Sequence, residues 1–553
     1  MHSFQALRVQ AVIALLLASC ASSSRYPSQK KTDRYEDLVA LFADWRELQK
    51  PKADRGVPDY TISAMSSQYG ALDRYRSRLF EIDPSRWPVA QQVDYHLLRA
   101  ELNGFEFDHR VLQPWARNPA FYVTVVADES DQPAREGPFA YGTVGLWDWP
   151  FPLADARADE LAARLAPIPA LLDQAKENLT GTGRDLWIYG IRAMEQQGKL
   201  LADLRGKSGS HAALSAAIAR AEKATNGFVA WLKAEAPLKK DPSGIGIRNY
   251  DWYVVNVQLI PSTWAEELAL MQRELARATA ALAVEEHKNR ALPPQIPVAS
   301  AEEHQRRFGA AVTEYMSFLE RNEILTLRPY MDGALRARVG QYTAHRPLEF
   351  FTEVDYRDPV LMRTHGYHWF DLARMKQDPH PSPLRRGALL YNIFDTRSEG
   401  LATAMEELMM QAGLCDPRPR SRELVYVLLA QRAARAIGEL RVQANQMTLE
   451  QAARFASEQT PRGWLRLEGE TVWFEQHLYL QQPGYGTSYL MGKLEIDRLI
   501  GARSRFLGDA FTLRRFMDEL ASVGLIPISL AGWELTGDDS RMPGVGWRLR
   551  AGP

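Results

Sequence analysis

The chain has 553 residues, 46% of them hydrophobic, which is enough to bury one large core or two packed lobes. Its 67 basic and 68 acidic residues nearly cancel, and no basic run is interleaved with aromatics, so the sequence lacks the electrostatic footprint of a nucleic-acid partner. Cysteine occurs only as Cys20 and Cys415, which excludes a disulfide framework and leaves stability to core burial.

In chain order, the first element is a targeting segment. Arg8 precedes an apolar run over residues 9–18, too short to cross roughly 30 Å of hydrocarbon as a stable helix. Leu17-Ala18-Ser19-Cys20 resembles the lipoprotein box. That resemblance implies a signal peptide over residues 1–19 and lipid modification of Cys20. Ala21 in place of Asp points to outer-membrane anchoring in a bacterial envelope, with the body periplasmic or surface-facing. Residues 20–32, rich in Ser, Pro and Lys, then form the lipidated tether.

From residue 33 onward the pattern is helical. Residues 208–236 and 263–290 carry long 3.6-residue periodicity; in the second, Trp264, Leu268, Met271, Leu275, Ala278 and Leu282 form one stripe. Thr263 with Glu266, and Thr448 with Gln451, have capping-box spacing, Ser421 opens another helix, and a further helix runs from about Thr512 to a stop at Gly524. Alternation over residues 348–354 predicts a strand just before the histidine turn. The expected fold is mainly α: a two-lobed helical body around a central groove, with a small strand element near the site. Pro237, Pro242, Gly244 and Gly246 mark a boundary, giving an N-terminal lobe over 33–240 and a C-terminal lobe over 241–553; one continuous domain over 33–553 is the alternative. The aromatic stretch 248–253 reads either as a cleft lining or as a packed junction, and the stretch 114–122 as a structural loop.

Chemistry-bearing residues concentrate between Leu361 and Glu406. His365 and His368, three apart around Gly366, have a spacing that lets both imidazoles reach one metal ion. Glu399, Thr403 and Glu406 share one helical face. About 10.5 Å of axial rise separates the two acids, so one serves as ligand and the other supports the site from outside it. Downstream, residues 482–492 place Pro483, Gly484 and Gly486 among Tyr485, Thr487, Ser488 and Tyr489, a composition suited either to a ligand-approaching loop or to a helix-entry turn.

Taken in order, these elements resemble the bacterial domain-of-unknown-function family numbered 885, with its H-E-x-x-P-G-H-H, E-G-W-x-x-Y-x-E, P-G-Q-x-x-S-Y-x-x-G and F-H-D-x-L-x-x-G-x-x-P motifs. Glu399-Gly400 with Glu406 matches the second; Pro483-Gly484, Ser488-Tyr489 and Gly492 match the third; and residues 516–527 match the last, with Met517 for histidine. The resemblance implies kinship to helical zinc carboxypeptidases. It assigns His365, His368 and Glu399 as zinc ligands, Glu406 or Glu439 as the catalytic acid or base, and Tyr485, Ser488 and Tyr489 as substrate-binding groups. The departures fall on the site itself. Leu361 and Met362 stand where the first histidine and glutamate belong, Leu401, Ala404 and Tyr485 replace a Trp, a Tyr and a Gln, and Glu439 and Gln443 stand where Asp and His are usual. The favoured expectation is therefore an envelope lipoprotein that has lost standard metallopeptidase catalysis and binds a peptide-like ligand in its groove. The alternative is a divergent zinc-dependent peptidase.

Overall fold

The computed structural model describes residues 31–133, 139–209 and 211–543. Cys20, the signal segment 1–19 and most of the tether lie outside them. The described chain is mainly α, with two two-stranded pairings: Ala53–Asp54 with Val57–Pro58, and β1 (Val125–Val126) with β2 (Val144–Gly145) in parallel. No described helix is long and apolar enough to cross a membrane.

Eight helices set the site: α1 (Val89–Phe107), α2 (Trp264–Lys288), α3 (Pro359–His365), α4 (Tyr367–Gln377), α5 (Asp395–Gln411), α6 (Ser421–Gln443), α7 (Glu470–Gln481) and α8 (Tyr485–Leu507). Local chemistry explains several of their starts. The Thr263 side chain accepts from the Glu266 N–H and the Glu266 carboxylate accepts from Thr263 N at 2.8 Å, satisfying donors that the first turn of α2 would leave unpaired. The same box opens the helix Leu449–Gln459 through Thr448 and Gln451. Asp358 caps α3 by accepting from the N–H groups of Val360 and Leu361 at 3.0 and 3.2 Å. Thr512 caps Leu513–Ser522, and Gly524, at φ +88°, ends that segment.

The strand expected over residues 348–354 is instead the start of a helix, Phe350–Arg357. Phe350 and Val354 lie one helical turn apart and are both buried, so period-3.6 burial wins over the imperfect alternation. The small strand element near the site is β1 with β2, and the loop after β1 reaches the histidines.

The largest core cluster joins α1, through Val93, Leu97, Ala100 and Phe107, to apolar faces of α2 to α6 and α8. Residues Leu98, Leu102 and Phe105 of the same α1 pack with Leu38, Leu41 and Trp45 in a separate cluster, so α1 is buried on nearly all sides. A further cluster over Tyr60 to Leu232 includes Trp187, Leu201, Ile218 and Phe228. Helices α5 and α6 and the first half of α8 have almost no solvent face, which explains why they carry acid and arginine inside: their polar residues must be satisfied by one another.

Glu267 on α2 illustrates the cost. It is fully buried, accepts from Tyr250 Oη at 2.9 Å, and burial pushes its carboxyl up to about 7 although hydrogen bonds from Tyr250 and Thr487 pull the other way. A carboxyl raised in the fold contributes stability that is fully present below its ordinary value of 4.5 and lost as pH rises through about 7. Glu267→Gln is therefore expected to flatten the fall in apparent Tm between about pH 5 and about pH 8 and to stabilise the alkaline end, on the order of 3 kcal/mol. A pH series of thermal unfolding curves for both proteins tests it, and parallel curves would refute it.

Candidate functional site

Gly366 interrupts the chain between α3 and α4, so His365 ends one helix and His368 lies in the first turn of the next. Their rings meet edge to face with centroids 5.1 Å apart. Helix α5 runs beside them because Gly400 packs directly on Gly492 of α8; a Cβ on either would overlap backbone of the other helix. That close approach brings Glu399 against both imidazoles and Tyr485 against Glu399.

The contacts are specific. His368 Nε2 lies 3.2 Å from Glu399 Oε2 and 3.9 Å from Asp131 Oδ2, while His365 Nε2 lies 3.9 Å from Glu399 Oε2. Asp131, His365 and His368 each offer a donor atom within 4.8 Å of the other two. The far ring nitrogens are already engaged: His368 Nδ1 with Ser398 Oγ at 3.1 Å, and His365 Nδ1 with Glu406 Oε1 at 3.1 Å and with the Arg432 guanidinium, itself only a donor, at 3.2 Å. In the tautomers that donate from Nδ1, both Nε2 lone pairs face the carboxylates, as in histidines oriented for a metal. His368 Nε2 and Glu399 Oε2, although close, have no well-aligned hydrogen-bond partner among the described residues. A buried imidazole nitrogen and a carboxylate oxygen this close, with His365 Nε2 and Asp131 beside them, fit either an ion pair or the donor set of a small cation.

Glu399 Oε1 is held by the Tyr485 hydroxyl at 2.6 Å and the Gln132 amide at 2.9 Å. Burial alone would raise the Glu399 carboxyl, but His368, His365 and Tyr485 outweigh it and hold it at about 2. Burial likewise opposes charging His368, yet Asp131 and Glu399 bring it up to about 9. This pocket therefore keeps its carboxylate ionised, ready either for a protonated imidazole or for a metal.

The other expected site residues have different partners. Glu406 sits in a bidentate pair with Arg432, both bonds at 2.7 Å, and its carboxyl is held low by Arg432 and His365 despite burial. It orients His365. Arg432 occupies both oxygens of Glu406, expected from the sequence as acid or base. Glu439, the other expected acid or base, accepts from the backbone N–H groups of Gly484 and Thr487 at 2.5 and 2.9 Å and caps the start of α8. Burial drives its carboxyl well upward. Of the expected substrate-binding groups, Tyr485 faces Glu399, whereas the buried Ser488 donates to the Tyr485 carbonyl at 2.6 Å and presents nothing to a ligand. Tyr489 is half-buried, its ring beneath Arg432 and Arg435 at 5.6 and 5.2 Å. Gln443 binds the carbonyls of Tyr479 and Leu480, far from any imidazole contact.

Sequence reasoning missed Asp131, Gln132, Ser398 and Arg432. The first two come from a loop more than two hundred residues upstream; their only signal was the acidic run Asp128, Glu129, Asp131 directly after the apolar 123–126.

The fold and cluster define a mainly helical protein with a buried histidine–carboxylate site assembled from an upstream loop and helices α3, α4, α5 and α8. Residues 367–533 match the family described as bacterial protein of unknown function (DUF885). Two solved structures share the fold: "The structure of a putative lipoprotein of unknown function from Shewanella oneidensis", with TM-score 0.65 and 16% identity over 91% of this chain and 99% of that one, and "The crystal structure of the putative lipoprotein from Colwellia psychrerythraea", with TM-score 0.61 and 14% identity over 91% and 98%. No curated protein matches the chain.

Arg432→Met strands the buried Glu406 charge and is expected to cost about 3–5 kcal/mol, whereas the double variant Arg432→Met/Glu406→Gln recovers most of it. Denaturant unfolding of the four-member cycle checks this; a double variant as unstable as the single one would contradict it.

Proposed function

We propose that this protein is an envelope-anchored, divalent-metal-binding receptor for peptide-like ligands, with zinc held by His365, His368 and Glu399 and with Asp131 on the solvent side of the same point. The observation that carries the reading is the pair of Nε2 atoms, each with its Nδ1 already engaged, facing a fully ionised Glu399. Leu361 and Met362 remove the first histidine and the glutamate of the family pattern. His365 lies one helical turn after Leu361, on the same face, and offers an imidazole where the pattern has none. When bound, zinc would supply Lewis acidity toward a carbonyl oxygen. Ser398 and Glu406 orient the imidazoles through Nδ1, and Tyr485 fixes Glu399.

A second reading, a divergent zinc-dependent peptidase, is favoured by Asp131. Its side chain is 32% exposed against 3% for Glu399, which makes it the cluster's solvent-reaching carboxylate and the group placed to accept a proton from an attacking water.

Metal analysis after dialysis against zinc is expected to give near-stoichiometric metal in the folded protein, with loss in His368→Ala; absence of metal, or retention in that variant, would overturn the metal site. In the same preparations, chelator-sensitive peptide cleavage that disappears in Asp131→Asn while zinc stays would establish the peptidase reading. Binding without cleavage would establish the receptor reading.

Anchoring rests on Cys20 in its lipoprotein-like context, together with the lipoprotein titles of the two structural neighbours. Cys20→Ser is expected to block palmitate labelling and to move the protein from the membrane to the soluble fraction. Unchanged fractionation would remove the anchor from the proposal.

A further inference from the structure

Beside the histidine cluster lies a cavity of about 1050 Å³, at the upper end of the range typical of small-molecule sites and roomy enough for an oligopeptide. Gln132 belongs to both. It lines the cavity, its amide donates to Glu399 Oε1, and its own Oε1, in a side chain that is almost fully buried, has no hydrogen-bond partner among the described residues. An acceptor left bare there invites an N–H donor from a ligand.

The cavity wall is aromatic. Trp115, Phe121 and Tyr391 line it, and at its mouth stand Tyr141, Trp147 and Phe474, exposed by 54%, 41% and 62%. Three large aromatic side chains left open to solvent around one opening are not the scattered singles of an ordinary surface. Trp147 is held there by Gly145, over whose Cα its ring folds so closely that a Cβ would overlap it.

Charge narrows the ligand further. Among the described residues the cations lining the cavity are already occupied, Arg46 with the Ala388 carbonyl at 2.9 Å and Lys50 with Glu47 at 2.6 Å. Its histidines, His109 and His477, are pushed down to about 4 and about 3 by burial and add no positive charge at neutral pH. On the acidic side, Glu129 pairs with Arg338, while Asp128 and Asp148 line the opening with no ion-pair partner among the described residues. An anionic ligand meets uncompensated carboxylates there, and a cationic one meets both carboxylates and ring faces.

We propose that this cavity is a recognition subsite for peptides that present an aromatic side chain beside a positive charge, the aromatic group entering between Trp147 and Phe474 and the backbone passing Gln132 toward His365 and His368. It rests on the peptide-binding reading above and gives that reading its ligand class.

Calorimetric titration of the purified full chain with acetyl-Gly-Phe-Lys-Gly-Gly-amide, and with the same peptide carrying Ala for Phe or Glu for Lys, tests it. Each change in the peptide is expected to weaken binding at least tenfold. Phe474→Ala and Gly145→Ala, which respectively remove and displace a rim ring, are expected to abolish the preference for Phe while leaving zinc uptake unchanged. Asp148→Asn is expected to weaken the preference for Lys over Glu. Equal binding of the three peptides, or no binding of any, would overturn the subsite. Discrimination between peptides by a protein that takes up no zinc would uphold the subsite and sink the metal reading; zinc uptake without discrimination would do the opposite.

Discussion

The site depends on the contact between α5 and α8. Gly400 and Gly492 let two buried helices approach until their backbones touch, and no residue with a Cβ fits either position without moving a helix. From that contact follow the placement of Glu399 against the imidazoles and the reach of Tyr485 to Glu399. The entry to α8 is fixed as well: Gly484 takes φ +82°, and the Glu439 carboxyl gathers the N–H groups of Gly484 and Thr487. Side chains of the catalytic type are therefore carried on elements whose spacing is set by the absence of side chains.

Four acids on neighbouring buried helices are driven in opposite directions. Glu399 and Glu406 stay ionised because cationic or protonated partners outweigh their desolvation, whereas Glu267 and Glu439 are driven upward because the groups that bind them are hydroxyls and amides. Burial is the common term, and the partner decides the sign. Beside His365, His368 and Arg432 the carboxylates are thereby kept charged, where a cation would be stabilised, while those around Tyr250 are held closer to neutrality.

What the sequence made legible follows the range of the interactions involved. Helix boundaries set within four residues, such as the boxes at Thr263 and Thr448 and the stop at Gly524, could be read directly, as could the mainly helical class. Residues 348–354 misled because two adjacent phenylalanines fit either period. Within the site, His365, His368 and Glu399 come together, being carried by short segments around a glycine and on one helix face. The partners that decide what Glu406 and Glu439 do are Arg432 and the α8 entry; no spacing rule connects them. Asp131 and Gln132 were further out of reach, since only the tertiary fold carries the loop after β1 to α4 and α5. The aromatic stretch 114–122, read as a structural loop, places Trp115 against the cavity.

Leu361 and His365 lie one turn apart on α3 in opposite settings. Leu361 is buried in the main core, so a histidine placed there would put an imidazole into apolar packing. His365, one turn on, is instead 19% exposed and tied through Nδ1 to a carboxylate that an arginine neutralises. That buried arginine–glutamate pair costs desolvation which an apolar pair would not. Its two members together hold the His365 ring in place. With Glu399 held by Tyr485 and Gln132, the cluster's solvent-reaching carboxylate among the described residues is Asp131, which the fold supplies from the loop after β1 rather than from α3, α4 or α5.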